Sequence, residues 1–278
     1  MSTTITGMMK ILYQNYLLSE SFTLAVSSGE TTKTNIYDLD RDTAWTSVNS
    51  DDTTEETLQI DFTSSQTIDR ILLMNMNFET FDIQYWNGSA WADFSNVYSA
   101  KTDAVASDIN YTDNTQSTRY FEFTAVSTDK IKISVSTTII TDAQKYIYEL
   151  YIGQEIGTFT EDVAGDPNSY NPTVINYNSI LLKKSNGGMV RVETSQKYNA
   201  EFDLSELWES ADQTIIQTMF SEGEFAIYPC GADNNYTQIG WRLQDLYSVV
   251  IDGSLSGEFS VGRDSNIGIN QSFGVFEQ

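Results

Sequence analysis

The sequence predicts an all-β protein of two parts, on three observations. Apolar and polar residues alternate at period two from about residue 57 to 152, as in half-buried strands. No amphipathic helix interrupts that stretch, which points to a sandwich or jelly roll. Beyond a segment at 153–172 that gathers Gly, Asp, Asn, Pro167 and Pro172, the pattern changes and one helical period enters. The expected division is a jelly-roll sandwich over 1–155 and a β-sandwich or split barrel over 156–278, with one packed helix near 204–221.

Within the first part, Leu58-Gln59-Ile60-Asp61-Phe62 alternates cleanly. Ile68, Ile71, Leu72, Leu73 and Met74 form an apolar run fit for a more deeply buried strand. Phe81, Ile83 and Tyr85 lead to Asn87-Gly88, with Trp91 and Phe94 beyond. Asn-Gly between two such runs predicts a hairpin, because both residues tolerate positive φ. Further strands read at 119–124, 130–136 and 145–152. In the second part, 189–194 and 198–204 look like strands. Leu204, Leu207, Trp208, Ala211, Ile215, Met219 and Phe220 then fall at three- and four-residue steps, one face of a helix. Asp203, with Glu206 three residues on, is its expected N-cap and Gly223 its expected C-cap. Strands resume at 224–228, 240–247, 249–252 and 258–262.

A chain of 278 residues exceeds the usual size of one domain, and 40% hydrophobic residues supply a core. Lys and Arg number 15 against 39 Asp and Glu, a net charge of −24. That field repels phosphate backbones and anionic lipid, so nucleic acid and membrane are poor partners. Calcium or a basic protein surface fits the sign, and simple solubility accounts for it equally. Histidine is absent, which removes the commonest general acid–base group and every His-containing metal site. Cys230 is alone, so it forms no intramolecular disulfide; with no His to activate it, it reads as a small buried hydrophobe. Met1–Lys10 lacks the basic-then-apolar pattern of a cleaved leader, and no run approaches the roughly eighteen apolar residues of a membrane span. No phosphate-cradling Gly loop, Gly-x-Ser-x-Gly elbow or Cys/His cluster is present, and acids are too abundant for proximity to single out a catalytic pair. The expectation is a protein that is not an enzyme.

The densest chemical signal is Asp38-Leu39-Asp40-Arg41-Asp42-Thr43-Ala44-Trp45. Asp38, Asp40 and Thr43 stand seven, five and two positions before Trp45, a spacing that resembles the discoidin-like, coagulation-factor C-type jelly roll. The resemblance continues through Leu58–Phe62 and closes at Ile147-Tyr148-Glu149-Leu150-Tyr151-Ile152-Gly153, covering roughly the first 155 residues. It implies a sandwich whose loops often bind glycans, or sometimes lipids, and often hold calcium near this turn. Asp38, Asp40 and Glu149, with the Thr43 carbonyl, would supply oxygens to an ion that takes six to eight of them. The same acids could instead satisfy turn amides through Asx-type hydrogen bonds. Leu39 replaces the Gly usual in the family after the first Asp, which implies a rebuilt turn. Glycan binding wants exposed aromatics. Trp86 and Trp91 flank the hairpin turn, and Tyr13 and Tyr111 fall in segments read as loops; aromatics at alternating strand positions are usually core.

A second resemblance is one of order along the chain. Asn15-Tyr16-Leu17-Leu18, the discoidin-like part, then Val190-Arg191-Val192, Tyr198–Leu204, the helix and Phe225-Ala226-Ile227-Tyr228-Pro229 look like tailed-bacteriophage structural proteins with distal-tail or tail-tube split barrels. This implies a virion component of the tail or baseplate, made in the host cytoplasm. Its partners would be copies of itself in a ring (a hexamer is what the likeness suggests), other tail proteins and a host-surface glycan. Many weak sugar contacts would then act together. A stand-alone bacterial carbohydrate-binding or adhesion module and a glycan-cleaving tail enzyme are the alternatives.

Overall fold

The computed structural model describes residues 10–40, 42–99, 102–158, 170–175, 179–183, 189–193, 197–204, 210–222, 224–228, 247–261 and 267–277. It is built almost wholly from strands, as an all-β chain should be. Two compact units result, one on Tyr13–Glu155 and one on Ile156–Gln278 together with the strand residues just before Tyr13.

The elements of the first unit follow β1 (Lys10–Tyr13) and a single helical turn, α1 (Tyr16–Ser19). They are β2 (Phe22–Val26), β3 (Trp45–Thr46), β4 (Glu56–Met74), β5 (Phe78–Trp86), β6 (Trp91–Asp93), β7 (Val97–Ser99), β8 (Thr102–Ala106), β9 (Asn110–Tyr111), β10 (Arg119–Thr138), β11 (Tyr146–Ile147) and β12 (Glu149–Gly153). The long strands β4 and β10 are each shared by two layers. The first stretch of β4 pairs with β2 and with Lys130–Val135 of β10; its last stretch pairs with β12 and with Arg119–Thr128. Between them lies the mainly exposed polar run Thr63–Thr67, and the β4–β10 register slips between Glu122 and Val126 and between Thr128 and Lys130. Extra residues at such slips bend a strand. Both ends of β4 consequently reach the same end of the sandwich: Val135 lies opposite Glu56, Thr138 opposite Phe78, and Ile139 N donates to Asn77 O at 2.8 Å. The sequence reads β4 and β10 as four strands, and the structure joins them into two folded ones.

The inward faces meet in one core. Leu58, Ile60, Ile83, Ile131 and Ile133 come from one layer, and Ile71, Leu73, Phe121, Leu150 and Ile152 from the other. Phe81 and Phe121 touch across the gap, ring centres 6.4 Å apart. Asn15, 1% exposed, ties the start of this unit to its last strand. Its Nδ2 donates to Leu150 O at 2.8 Å, and its Oδ1 accepts from Ile152 N at 3.1 Å.

In the second unit the strands are β13 (Glu155–Thr158), β14 (Tyr170–Ile175), β15 (Ser179–Lys183), β16 (Met189–Glu193), β17 (Lys197–Leu204), β18 (Glu224–Tyr228), β19 (Tyr247–Val261) and β20 (Ile267–Glu277), with helix α2 (Ser210–Glu222). Seven strands form a sheet in the order β13-β1-β18-β19-β20-β17-β14, and β15–β16 is a separate ribbon. Two sequence expectations change here. Asp203 and Leu204 end a strand paired to β20, so Asp203 is not the helix N-cap; the helix begins at Ser210. The expected strands at 249–252 and 258–262 fall, as far as Val261, in one strand, β19; residue 262 and positions 240–246 of the expected strand at 240–247 lie outside the described residues. Glu206, Leu207, Trp208, Gly223 and Cys230 lie outside the described residues. The helix buries Ile215 (7% exposed) and Met219 (0%), one turn apart on one face. Gly157 makes room for it, since a Cβ there would stand 2.4 Å from Ile215 Cγ1.

Candidate functional site

The first unit has two unlike ends. The connections 27–44, 47–55, 75–77, 112–118 and 139–145 all leave from the end where Val26, Glu56, Met74, Phe78, Arg119 and Thr138 lie. The chain enters and leaves elsewhere: Gly153 pairs opposite Arg70, Glu155 N donates to Asp69 Oδ1 at 2.9 Å, and Tyr13 N donates to Gln154 O at 2.9 Å. Both covalent connections are thus kept off the loop end.

Trp45 anchors the acidic loop. It is 0% exposed, and its indole N–H donates to Ser28 O at 3.0 Å. Neighbouring Gly29 sits at φ 72, and a Cβ there would lie 2.2 Å from Thr46 O and 2.8 Å from the indole nitrogen. Only glycine suits that combination of angle and crowding. The turn itself is closed by its own acids. Asp38 Oδ1 accepts from Asp40 N at 2.9 Å and Asp38 Oδ2 from Thr43 Oγ1 at 2.7 Å; Asp40 Oδ1 accepts from Asp42 N at 3.0 Å. Leu39 adopts φ 61, the left-handed conformation that glycine takes at little steric cost, so a leucine holds the turn here. The loop's donors are all oxygens, the right chemistry for a hard cation, yet three of the four Asp38 and Asp40 carboxylate oxygens already accept protein hydrogen bonds. Glu149, 8% exposed, begins β12 opposite Met74. Among the described residues no three Asp, Glu, Cys or His side chains stand together as a metal-holding group.

The neighbouring loops are cross-tied to one another. The wholly buried Lys145 donates from Nζ to Asp51 O at 2.7 Å and Thr54 O at 3.0 Å, fixing loop 51–54. Asp52 Oδ1 accepts from Thr138 N and Thr138 Oγ1, both at 3.0 Å, and Oδ2 accepts from Asp142 N at 3.0 Å. Burial pushes the Asp52 carboxyl up, but these hydrogen bonds outweigh it and hold it below the usual carboxylate range. Asp51 is held low by hydrogen bonds from Thr53 and Thr54. Asn77, 5% exposed, donates to Gln144 O at 2.7 Å and accepts from Tyr146 N at 2.9 Å. On this braced end stand the exposed apolar residues Val48 (70%), Ile140 (74%) and Tyr146 (36%). Tyr146 packs edge-on against Tyr148 at 5.8 Å. Ile139-Ile140 inside the polar run Ser136–Asp142 was the available signal, because apolar residues in a turn have no strand face to fill.

Trp86 and Trp91 do not belong to this end. They face each other across the β5–β6 hairpin, ring centres 5.6 Å apart and half-buried. The hairpin forms as expected, but its turn runs over Asn87–Ala90. Asn87 N donates to Ala90 O at 3.0 Å, and Asn87 Oδ1 accepts from Ser89 N and Ala90 N, both at 3.0 Å. Gly88 alone takes positive φ, at 93°. Tyr111 is covered on two sides, stacked on Phe81 at 5.0 Å and capped by the Arg119 guanidinium at 4.7 Å. Tyr13 is half-buried in β1.

Residues 19–144 match the F5/8 type C domain family. Among solved structures, chitosan-binding module 1 of a chitosanase/glucanase from Paenibacillus sp. IK-5 is similar at 18% identity and a TM-score of 0.39, over 50% of this chain and 98% of that one. CpGH89CBM32-6, produced by Clostridium perfringens, is similar at 14% identity and a TM-score of 0.39, over 51% and 99%. A pectin-binding carbohydrate-binding module is similar at 20% identity and a TM-score of 0.35, over 48% and 91%. No curated protein matches the chain. The braced-loop sandwich on the N-terminal side of this chain is an F5/8 type C, discoidin-like domain.

Proposed function

We propose that the first unit is a non-catalytic glycan-binding module, that its loop end is the ligand surface, and that the second unit carries and assembles it. The observation behind this reading is the braced loop end: Val48, Ile140 and Tyr146 are exposed beside loops that Lys145, Asp52 and Asn77 hold in place. A sugar ring offers an apolar face and a rim of hydroxyls. An exposed tyrosine on an end that also carries polar loop side chains suits both, and a surface ordered beforehand loses little freedom on binding. Binding of the full chain to a panel of immobilised glycans is the test. Tyr146→Ala should weaken the best ligand at least tenfold while leaving the thermal unfolding temperature within about 2 °C, because a half-exposed side chain contributes little to the core. An unchanged affinity would remove Tyr146 and the loop end from the site.

The finer reading places such modules in a bacteriophage tail or baseplate, assembled through the second unit as a ring. The order of patterns along the sequence supports it. Ring-shaped particles by electron microscopy are the expected result; a chain that stays monomeric at high concentration would leave the stand-alone bacterial module. The lack of histidine supports the non-catalytic reading, under which no reducing ends are released from a bound polysaccharide. Calcium, where it binds, would take Asp38, Asp40 and the Thr43 carbonyl, with Glu149 the remaining acid of the family pattern. Because that turn already closes on itself, EDTA should shift unfolding of the first unit by less than about 2 °C, whereas a tightly held ion would add several kcal/mol.

A further inference from the structure

The β5–β6 turn holds, at Asn87-Gly88, an electrophile, a nucleophile and a set of oxyanion donors within four residues. Asn87, Gly88, Ser89 and Ala90 are all exposed, so water has access to the turn. Asn87 Oδ1 accepts three hydrogen bonds, from Ser89 N at 3.0 Å, Ser89 Oγ at 2.9 Å and Ala90 N at 3.0 Å. Those bonds reach past Gly88 and draw the carboxamide across its peptide nitrogen. They also polarise the carbonyl, because donors already aimed at an oxygen stabilise negative charge that develops there. The Gly88 N–H meets no acceptor among the described residues, and the Asn87 Nδ2 amide meets none either. Gly88 has no side chain to block approach, and even a Cβ there would meet nothing within 4 Å.

We propose that this turn modifies itself: Asn87 closes on the Gly88 nitrogen to a succinimide, and water opens the ring to isoaspartate or aspartate. A solvent base takes the Gly88 amide proton, a bond forms between Gly88 N and Asn87 Cγ, and the negative charge settles on Oδ1 among its three donors. The Cγ–Nδ2 bond then breaks, and Nδ2 leaves as ammonia with a proton taken from water. A water molecule adds to one of the two ring carbonyls. Attack at Cγ gives aspartate with the backbone as before; attack at the main-chain carbonyl gives isoaspartate, one methylene longer through the turn. Nothing is oxidised or reduced. The aspartate carboxylate can accept the same three hydrogen bonds, now strengthened by its charge. Either product places an anion next to Trp86, whose partner across the hairpin is Trp91.

This site is independent of the glycan-binding reading and uses none of the loop-end residues. Its test is peptide mapping of the full chain after incubation at mildly alkaline pH, folded in buffer and, in parallel, unfolded in urea at the same pH. Mass spectrometry of the fragment containing Asn87 reads loss of the amide as a gain of one mass unit, and chromatography separates isoaspartate from aspartate. Conversion should run about tenfold faster in the folded chain than in urea, because only the folded turn aims its donors at Oδ1. It should also rise with pH, since the Gly88 nitrogen must lose its proton. Ser89→Ala removes one exposed donor and leaves the strands alone. It should slow the folded reaction about fivefold, the effect of losing one ordinary hydrogen bond, and leave the rate in urea unchanged. Its unfolding temperature should stay within about 2 °C of the parent. A folded rate equal to or below the rate in urea would overturn the proposal, as would an unaltered folded rate in Ser89→Ala.

Discussion

Leu39 is a residue paying a conformational cost where the family pattern has glycine. At φ 61 its Cβ crowds the backbone, at about 1–2 kcal/mol for an ordinary L-residue. Leu39→Gly should raise the unfolding free energy by about 1 kcal/mol in urea, since glycine's extra freedom in the unfolded chain cancels part of the relief. The charged residues set a pH dependence. Burial raises Asp69 from the ordinary 3.8 to about 6, with Glu122 adding and Arg70 opposing, and burial raises Asp82 equally. Their folded forms hold protons more tightly than the unfolded chain, so the stability they contribute is full below about pH 4 and lost as pH rises through 6. Asp51 and Asp52 act in the opposite sense, and their contribution is lost only as pH falls through their lowered values. Stability should therefore peak near pH 4–5 and fall by about 1–2 kcal/mol by pH 7, after allowance for solvent screening of half-exposed groups. Chemical unfolding across pH measures this, and Asp69→Asn with Asp82→Asn should flatten the fall.

At the scale of elements, the loops depend on one buried cation. Lys145 bridges two carbonyls of loop 51–54 from the far side of β10 in sequence. Lys145→Met keeps the stem but leaves those carbonyls without a donor, at about 2 kcal/mol, and should speed amide exchange in 47–54 before it affects the sheets. Such ties explain what the sequence could and could not reveal. The alternation in Leu58–Phe62 and Phe81–Tyr85, and the Trp45 loop, were legible because they arise from neighbours a few residues apart. The folding-over of β4 and β10 was not, since an exposed polar run such as Thr63–Thr67 looks alike whether a strand ends or bends. Leu204 shows the same limit: it continues the helical spacing on paper, but pairing with Gln271 claims it for a strand. Tyr146 is placed by Asn77, and the turn that carries Ile140 is held at Thr138 and Asp142 by Asp52; these partners are distant in sequence, and no local pattern encodes them.

For the whole molecule, the first unit is a discoidin-like sandwich with its chain connections away from its loops, and the second is a separate β unit with one helix. The central claim is that ligand engages the loop end. Hydrogen exchange of the full chain, with and without the tightest glycan from the panel, addresses it most directly. Protection should concentrate in 47–54 and 139–146. Protection confined to the second unit, or none in those two segments at saturating ligand, would contradict the claim.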